Sequence, residues 1–315
     1  MNAPDDVFVG ISIAGSELTT VEMRPQEEPP LITAMDRVSL ASSIELSTLR
    51  DGGAKDALVA ALQAVLRSEG KPTRAAVAIN DRLAFIKCLP VDRGLGKDEL
   101  AEHVRWEVEQ LLVARGNEYV VDSSCVPVVD EAHDRLVLVA IRKPIIELLK
   151  QVAQEAGVRL AAVDLDLFAG LRAAVYNHQL VQANATGLLR LSPFGATLMV
   201  LRRGELYDMC EAPLPSGGES DPGTWDDTRA RELWEELRRR SGNGQIDRLL
   251  VYGAPVPVAF VAKLRPQCAV PVNVIDPIKR LQLAPALGGT EAPFSGASLV
   301  AAIGAALRGV PRSRG

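Results

Sequence analysis

Hydrophobic positions recur along this chain in two periods, and the switches between them mark strands and helices. Residues 7–14 (V-F-V-G-I-S-I-A) are a short apolar-rich run and residues 17–24 (E-L-T-T-V-E-M-R) alternate. They predict two strands joined at Gly15–Ser16. A third strand is predicted over 31–40. Residues 55–68 change to the helical period, with Leu58, Leu62, Val65 and Leu66 on one face, and Lys71–Pro72 closes that segment. A buried strand over 74–79 and an alternating strand over 82–89 follow. The next helix, over 100–112, places Asp98 and Glu99 at its start, where acidic side chains complement the helix dipole. Strands over 119–129 and 135–141, a helix over 144–157, a strand over 160–165 and a helix over 168–177 complete the first half.

The second half repeats this grammar. Residues 187–192, 196–202 and 205–209 predict a strand meander, 228–240 a charged helix, 248–252 a strand, 257–264 a short helix and 297–307 a final apolar helix. Each half thus opens on strands joined by tight turns and passes to helices. The expected division is residues 1–180 and 181–315. The first half carries an insertion over 74–158. The second carries a small subdomain over 215–245, and its last helix returns to the first half. Residues 215–224 (P-S-G-G-E-S-D-P-G-T) have the composition of a surface loop.

A chain of 315 residues is long enough for two such domains. Its net charge of −5 gives no basic footprint for nucleic acid, and aromatic residues at 4% supply no base-stacking platform. The four cysteines, Cys88, Cys125, Cys210 and Cys268, form no C-x-x-C pair and read as free thiols of a reducing compartment. The opening M-N-A-P-D-D is polar and acidic, unlike a signal peptide. No apolar run approaches the ~20 residues of a membrane helix. A cytoplasmic protein that meets the membrane only through a partner is expected.

Candidate chemistry is sparse. His103, His133 and His178 are far apart in sequence, and His103 precedes Glu107 by one helical turn, the spacing of an ion pair. Asp164 and Asp166 near a strand end read either as a paired-carboxylate remnant or as a cap for the following helix. Arg238–Arg240 share a helix with Glu232, Glu235 and Glu236 and read as a solvated face. Trp106 falls roughly opposite the stripe of Leu100, Val104, Val108 and Leu111. A tryptophan there either marks a binding surface or packs under the loop that follows.

The order of several short motifs resembles one family, the PilM-type, FtsA-like members of the actin/heat-shock/sugar-kinase ATPase superfamily. The opening G-I-S-I-A-G-S-E-L-T (10–19) is similar to the family's first phosphate hairpin. R-W-E-V-E-Q (105–110) resembles its inserted helix, A-I-R-K (140–143) and E-A-G (155–157) its next strand exit and helix end, and V-D-L-D-L-F-A (163–169) the segment after it. A-A-I-G-A-A-L-R (301–308) resembles the closing helix. The resemblance implies an α/β, actin-like (ribonuclease H-like) two-domain fold with an FtsA-type inserted subdomain.

It also implies where nucleotide chemistry would sit. ATP binding in that superfamily uses two glycine-bearing hairpins whose backbone N–H groups approach the phosphates, with acids that position magnesium and water. Ser12 stands at the first acid position and Arg190 at the second, a charge reversal. Arginine repels a metal and does not act as a general base. Of the glycine-rich adenosine loop only Gly253 remains, followed by Pro255 and Pro257, which remove backbone donors. Ser12, Gly15, Ser16, Arg190, Gly195, Thr197 and Gly253 are therefore expected as the remnant of a nucleotide pocket. No catalytic residue, no metal and no cofactor are expected, with ATP as the alternative. The family resemblance implies a non-catalytic cytoplasmic scaffold of a type IV pilus or related secretion machine. Its partner would be the N-terminal peptide of a PilN-like inner-membrane protein, held in a groove that includes Ile79, Phe85 and Trp106. The rival readings are an active ATPase of the same fold and the cytoplasmic domain of a GspL-like secretion protein. The residues neither require nor exclude a homo-oligomer or ring.

Overall fold

The structure, a computed structural model, describes residues 7–41, 53–66, 73–111, 118–127, 132–183, 185–192, 195–212, 227–240, 246–253, 258–287 and 296–311. The loop expected over 215–224 and the prolines at 255 and 257 lie outside them. Strands β1 (Phe8–Ala14), β2 (Glu17–Arg24), β3 (Leu31–Ser39), β4 (Thr73–Ile79) and β8 (Val158–Leu165) build the first sheet, with the short β14 (Gln282–Leu283) at its edge in the order β14-β3-β2-β1-β4-β8. Strand β1 is its centre, antiparallel to β2 and parallel to β4. Six of its seven residues are buried, which is why its sequence is nearly continuous in apolar residues.

The second sheet comprises β9 (Ala185–Ser192), β10 (Gly195–Arg202), β11 (Glu205–Ala212), β12 (Arg248–Gly253) and β13 (Val272–Val274), in the order β11-β10-β9-β12-β13. Its centre, β9, is again antiparallel to the next strand and parallel to a later one. The two sheets therefore share one topology: a three-stranded meander followed by parallel strands. This is the duplication that an actin-like fold requires.

Helices fill three layers. Helices α1 (Gly53–Val65) and α3 (Lys143–Glu155) cover the outer face of the first sheet through Leu58, Leu62, Ile145, Leu149 and Val152. Helices α5 (Asp227–Arg240) and α6 (Val258–Leu264) cover the outer face of the second through Leu233, Trp234, Leu237 and Phe260. Between the sheets lie α4 (Asp166–His178) and α7 (Ala297–Ala306). Helix α7 is buried without interruption from Leu299 to Ala306, which explains a sequence apolar on all sides. The approach is close. A Cβ on Gly10 of β1 would overlap the Ala302 carbonyl, and one on Gly304 of α7 would overlap the Ala169 carbonyl of α4.

A third, three-stranded antiparallel sheet has the order β5-β7-β6, from β5 (Ala84–Asp92), β6 (Tyr119–Val126) and β7 (His133–Arg142), with α2 (Lys97–Leu111) beside it. The insertion is thus shorter than the 74–158 expected. Strand β4 pairs with β1 and β8 inside the first sheet, because its A-A-V-A-I run (75–79) is buried on both faces. Helix α3 belongs to the first core with α1. The inserted sheet does not stand only at the side of the first half. Val137, with Ile86, Cys88 and Val126, shares one apolar cluster with Leu201, Leu206 and Met209 of the second half. The Arg135 guanidinium lies 5.6 Å from the Tyr207 ring centroid, and Arg202 lies 3.7 Å from the same ring. The subdomain expected over 215–245 is also corrected: its described part, α5, is a layer on the second sheet.

The contact between α4 and α7 leaves no room for a side chain at Gly304. Gly304→Val is expected to destabilise the protein by about 3 kcal/mol through overpacking. Urea denaturation reads this directly, and an unchanged midpoint would refute the close approach.

Candidate functional site: a buried charge cluster between the halves

The two central hairpins are superposable in register. In the first, Ala14 pairs with Glu17 across the Gly15–Ser16 turn. In the second, Ser192 pairs with Gly195. Ser12 and Arg190 both stand two residues before the turn-flanking position, opposite Thr19 and Thr197 respectively. Strand alternation fixes their direction. Arg190 shares a face with Leu188, which packs with α4 and α7, and Ser12 shares one with Gly10, which abuts α7. Both side chains enter the layer between the sheets.

Arg190 does not meet solvent there. Its Nη1 donates to Asp81 Oδ2 at 2.5 Å and its Nη2 donates to Asp166 Oδ2 at 2.5 Å. The side chains of Arg190, Asp81 and Asp166 are 5%, 12% and 8% exposed. Asp81 lies in the short 3-10 turn Asp81–Leu83 after β4, where Asn80 caps the turn by accepting from the Arg82 N–H. Asp166 opens α4, and its Oδ1 accepts the Asp81 N–H at 3.1 Å. Both acids thus come from the first half and the cation from the second. Tyr252, opposite Arg190 on β12, closes the cluster and donates its hydroxyl to the Leu167 carbonyl at 3.4 Å.

Charge and burial compete at each group. Burial would lower the Arg190 pKa, but Asp166 and Asp81 outweigh it and hold the guanidinium charged. Burial is the largest influence on Asp166. Arg190 opposes it and the neighbouring Asp81 adds to it, and the carboxyl is pushed up from 3.8 to about 7. One cation serves two carboxylates. Burial likewise pushes the Tyr252 hydroxyl up. Asp164, two residues from Asp166, has cations of its own. Burial raises it, yet Arg172 and Arg308 together outweigh burial and hold it below the ordinary carboxylate value. Its Oδ2 accepts from Arg172 at 2.7 Å and from Arg308 at 2.8 Å, which ties the chain end after α7 to β8 and α4. Neither acid caps α4: residue Leu165 holds that position, with no side-chain cap.

The other expected pocket residues differ in burial and in what they touch. Gly15, in the left-handed region at φ +59, and Ser16 are exposed at the first hairpin tip. Gly195 accepts the Ser192 hydroxyl at 3.0 Å, and Thr197 is buried in the second sheet. A Cβ on Gly253 would overlap the Leu191 carbonyl, so this glycine serves the close packing of β12 on β9. The Ser12 hydroxyl is fully buried and has no partner among the described residues. The two positions where the resemblance expects acids hold a buried serine and an arginine already paired to Asp81 and Asp166. Among the described residues no group of three or more metal-ligating side chains occurs.

The expected partner-groove residues separate as well. Ile79 is 1% exposed in the core under α1 and α3, so it lines no groove. This is a correction: the last residue of β4 is held on both faces by the sheet and its helices. Phe85 is half-buried on β5. Trp106 is 56% exposed, while Val108 on the opposite stripe of α2 is buried. With Pro90, Leu95, Glu102, His103 and His133, Trp106 lines an open cavity of about 490 Å³ whose walls belong wholly to the inserted subdomain. His103 stands 3.7 Å from Glu107, the ion-pair spacing expected. Asp81 was not singled out by the sequence. The signal was present in N-D-R at the end of a strand whose last five residues are buried, which carries the acid into the interior.

A model of the type IV pilus assembly protein PilM family matches residues 10–206, from β1 through the start of β11. The chain belongs to this family. A search of curated proteins finds no match. Among solved structures, a chain of a PilM–PilN type IV pilus biogenesis complex is similar at 21% identity and TM-score 0.74, over 98% of this chain and 100% of that one. A Bacteroides thetaiotaomicron protein with an actin-like ATPase fold is similar at 11% identity and TM-score 0.51, over 87% and 92%. An Arthrobacter polyphosphate/ATP-glucomannokinase is similar at 11% identity and TM-score 0.51, over 96% and 98%. These PilM-family and kinase likenesses establish the actin-like fold.

The raised Asp166 carboxyl sets a pH dependence. Below about pH 7 the folded protein holds this proton, whereas the unfolded chain releases it near 3.8; above that range Asp166 is the carboxylate that Arg190 pairs. The stability it contributes is therefore complete below the lower value and is lost as pH rises towards 7. Asp166→Asn removes the titration, so its deficit relative to the natural protein should shrink between pH 4 and 7, by on the order of a few kcal/mol. Urea midpoints across that range test this; a deficit that grows with pH contradicts it.

Proposed function

We propose that this PilM-family chain is a non-catalytic scaffold of a type IV pilus or related secretion machine. It would work in the cytoplasm and reach the inner membrane through a PilN-like partner whose N-terminal peptide it binds. The observation that carries the non-catalytic reading is Arg190. A buried guanidinium, paired to two aspartates, stands where metal-dependent chemistry would need an acid. Partner binding is supported by the fold likeness to the PilM–PilN complex chain across nearly the whole length. No helix among the described residues is long and apolar enough to cross a membrane, which fits attachment through another protein.

Within this reading Trp106 and Phe85 are the candidate peptide contacts. Trp106 offers a large exposed aromatic surface beside the apolar Pro90 and Leu95, the kind of anchor that dominates small interfaces. Because it is exposed, Trp106→Ala should leave the fold intact. It should weaken binding of the partner's N-terminal peptide by about 2 kcal/mol, roughly thirtyfold in Kd. Calorimetry decides: an unchanged Kd removes Trp106 from the site, and no binding of the natural protein to any PilN-like N-terminus ends the scaffold reading.

Magnesium-dependent ATP hydrolysis is expected to stay at background. Steady turnover that disappears on substitution of Thr197 would establish the rival ATPase reading instead.

A further inference from the structure

Asp81, Asp166 and Arg190 meet across the interface between the two halves. Each carboxylate gives one oxygen to a different nitrogen of one guanidinium. A cation so placed does two things. It offsets the repulsion between two buried carboxylates, and it fixes their positions. A divalent metal ion between two carboxylates does the same, and magnesium-type sites use as few as one or two carboxylates with water completing the shell. Here the cation is covalently part of β9, in the other half of the molecule from both of its anions.

Two features separate this cluster from a surface ion pair. All three side chains are nearly enclosed, so no solvent substitutes for a lost partner. The matching position of the other hairpin, Ser12, is also polar, and its buried hydroxyl finds no partner among the described residues. The layer between the sheets is otherwise mostly apolar, apart from the Asp164–Arg172–Arg308 group. A polar side chain therefore stands at this equivalent place in each repeat, and it is charged in only one of them.

We propose that Arg190 is a tethered counter-cation that takes the place of a diffusible divalent metal ion between Asp81 and Asp166, latching the two halves together without any ligand. Opening the halves then requires the guanidinium to leave both acids at once. The inference is independent of peptide binding at Trp106.

The test uses the full chain and its melting temperature, at a pH above the range in which Asp166 holds its proton, with manganese chloride, magnesium chloride and non-denaturing guanidinium chloride as probes. Arg190→Ala should melt several degrees lower. A divalent cation or guanidinium ion should recover most of that loss while leaving the natural protein unchanged. The double variant Arg190→Ala/Asp166→Asn should lose the recovery. A folded Arg190→Ala protein that ignores all three cations overturns the proposal, as does an equal response in the double variant. If Arg190→Ala does not fold, Arg190→Lys and Arg190→Gln decide. The lysine variant keeps the charge and should melt well above the glutamine variant, and equal melting overturns the latch. None of these readouts involves the peptide, so their failure leaves the scaffold reading standing.

Discussion

The thickness of the layer between the two sheets governs the molecule. Helices α4 and α7 occupy it together, and each touches its neighbours through backbone or methyl groups. Gly10 meets α7, Gly304 meets α4, and Ala76, Ala78, Ala169, Ala301 and Ala305 form one core with Phe8. Larger side chains would push the sheets apart, and dispersion contacts fall steeply with distance. This closeness brings a mid-strand arginine of one half within reach of acids at the strand and helix ends of the other. A polar cluster so deep is tolerable because every charge in it has an oppositely charged neighbour.

The repeat sharpens the meaning of Arg190. Two hairpins of the same register present Ser12 and Arg190 at the same place, each facing a threonine. A duplicated fold offers the same geometric opportunity twice, and this chain fills it once with a small hydroxyl and once with a long cation. The side-chain choice, not the backbone, separates a ligand-dependent interface from one closed by its own residues. The second ionic group, Asp164 with Arg172 and Arg308, works alongside the first by fastening the end of the chain to the same inner layer.

Much of this was legible in the residues. Strand and helix periods located both meanders, the final helix and the stripe of α2, because half-buried elements write their burial into alternation. The family resemblance directed attention to Ser12 and Arg190, and register places those two at equivalent points. Boundaries were less legible. The run at 73–79 reads as a strand wherever it sits, and only pairing with β1 and β8 assigns it to the central sheet, drawing the insertion inward and Ile79 out of the groove. Asp81 was invisible for a related reason: its role depends on a partner 109 residues away in sequence. Gly253 resembled a phosphate-loop glycine, whereas its lack of a side chain serves strand packing against Leu191. Local sequence reports burial and turn chemistry, and long-range pairing is what it leaves out.

The inserted sheet has a mechanical consequence. It departs from the first half after β4, returns to it at α3, and in between packs on β11 of the second half through Val137 and the Arg135–Tyr207–Arg202 stack. It is therefore a strut anchored on both halves, not an appendage of one. A pull applied to its outer surface, where Trp106 protrudes, loads the two sheets in parallel rather than prising one from the other. Tension entering there is shared by both halves.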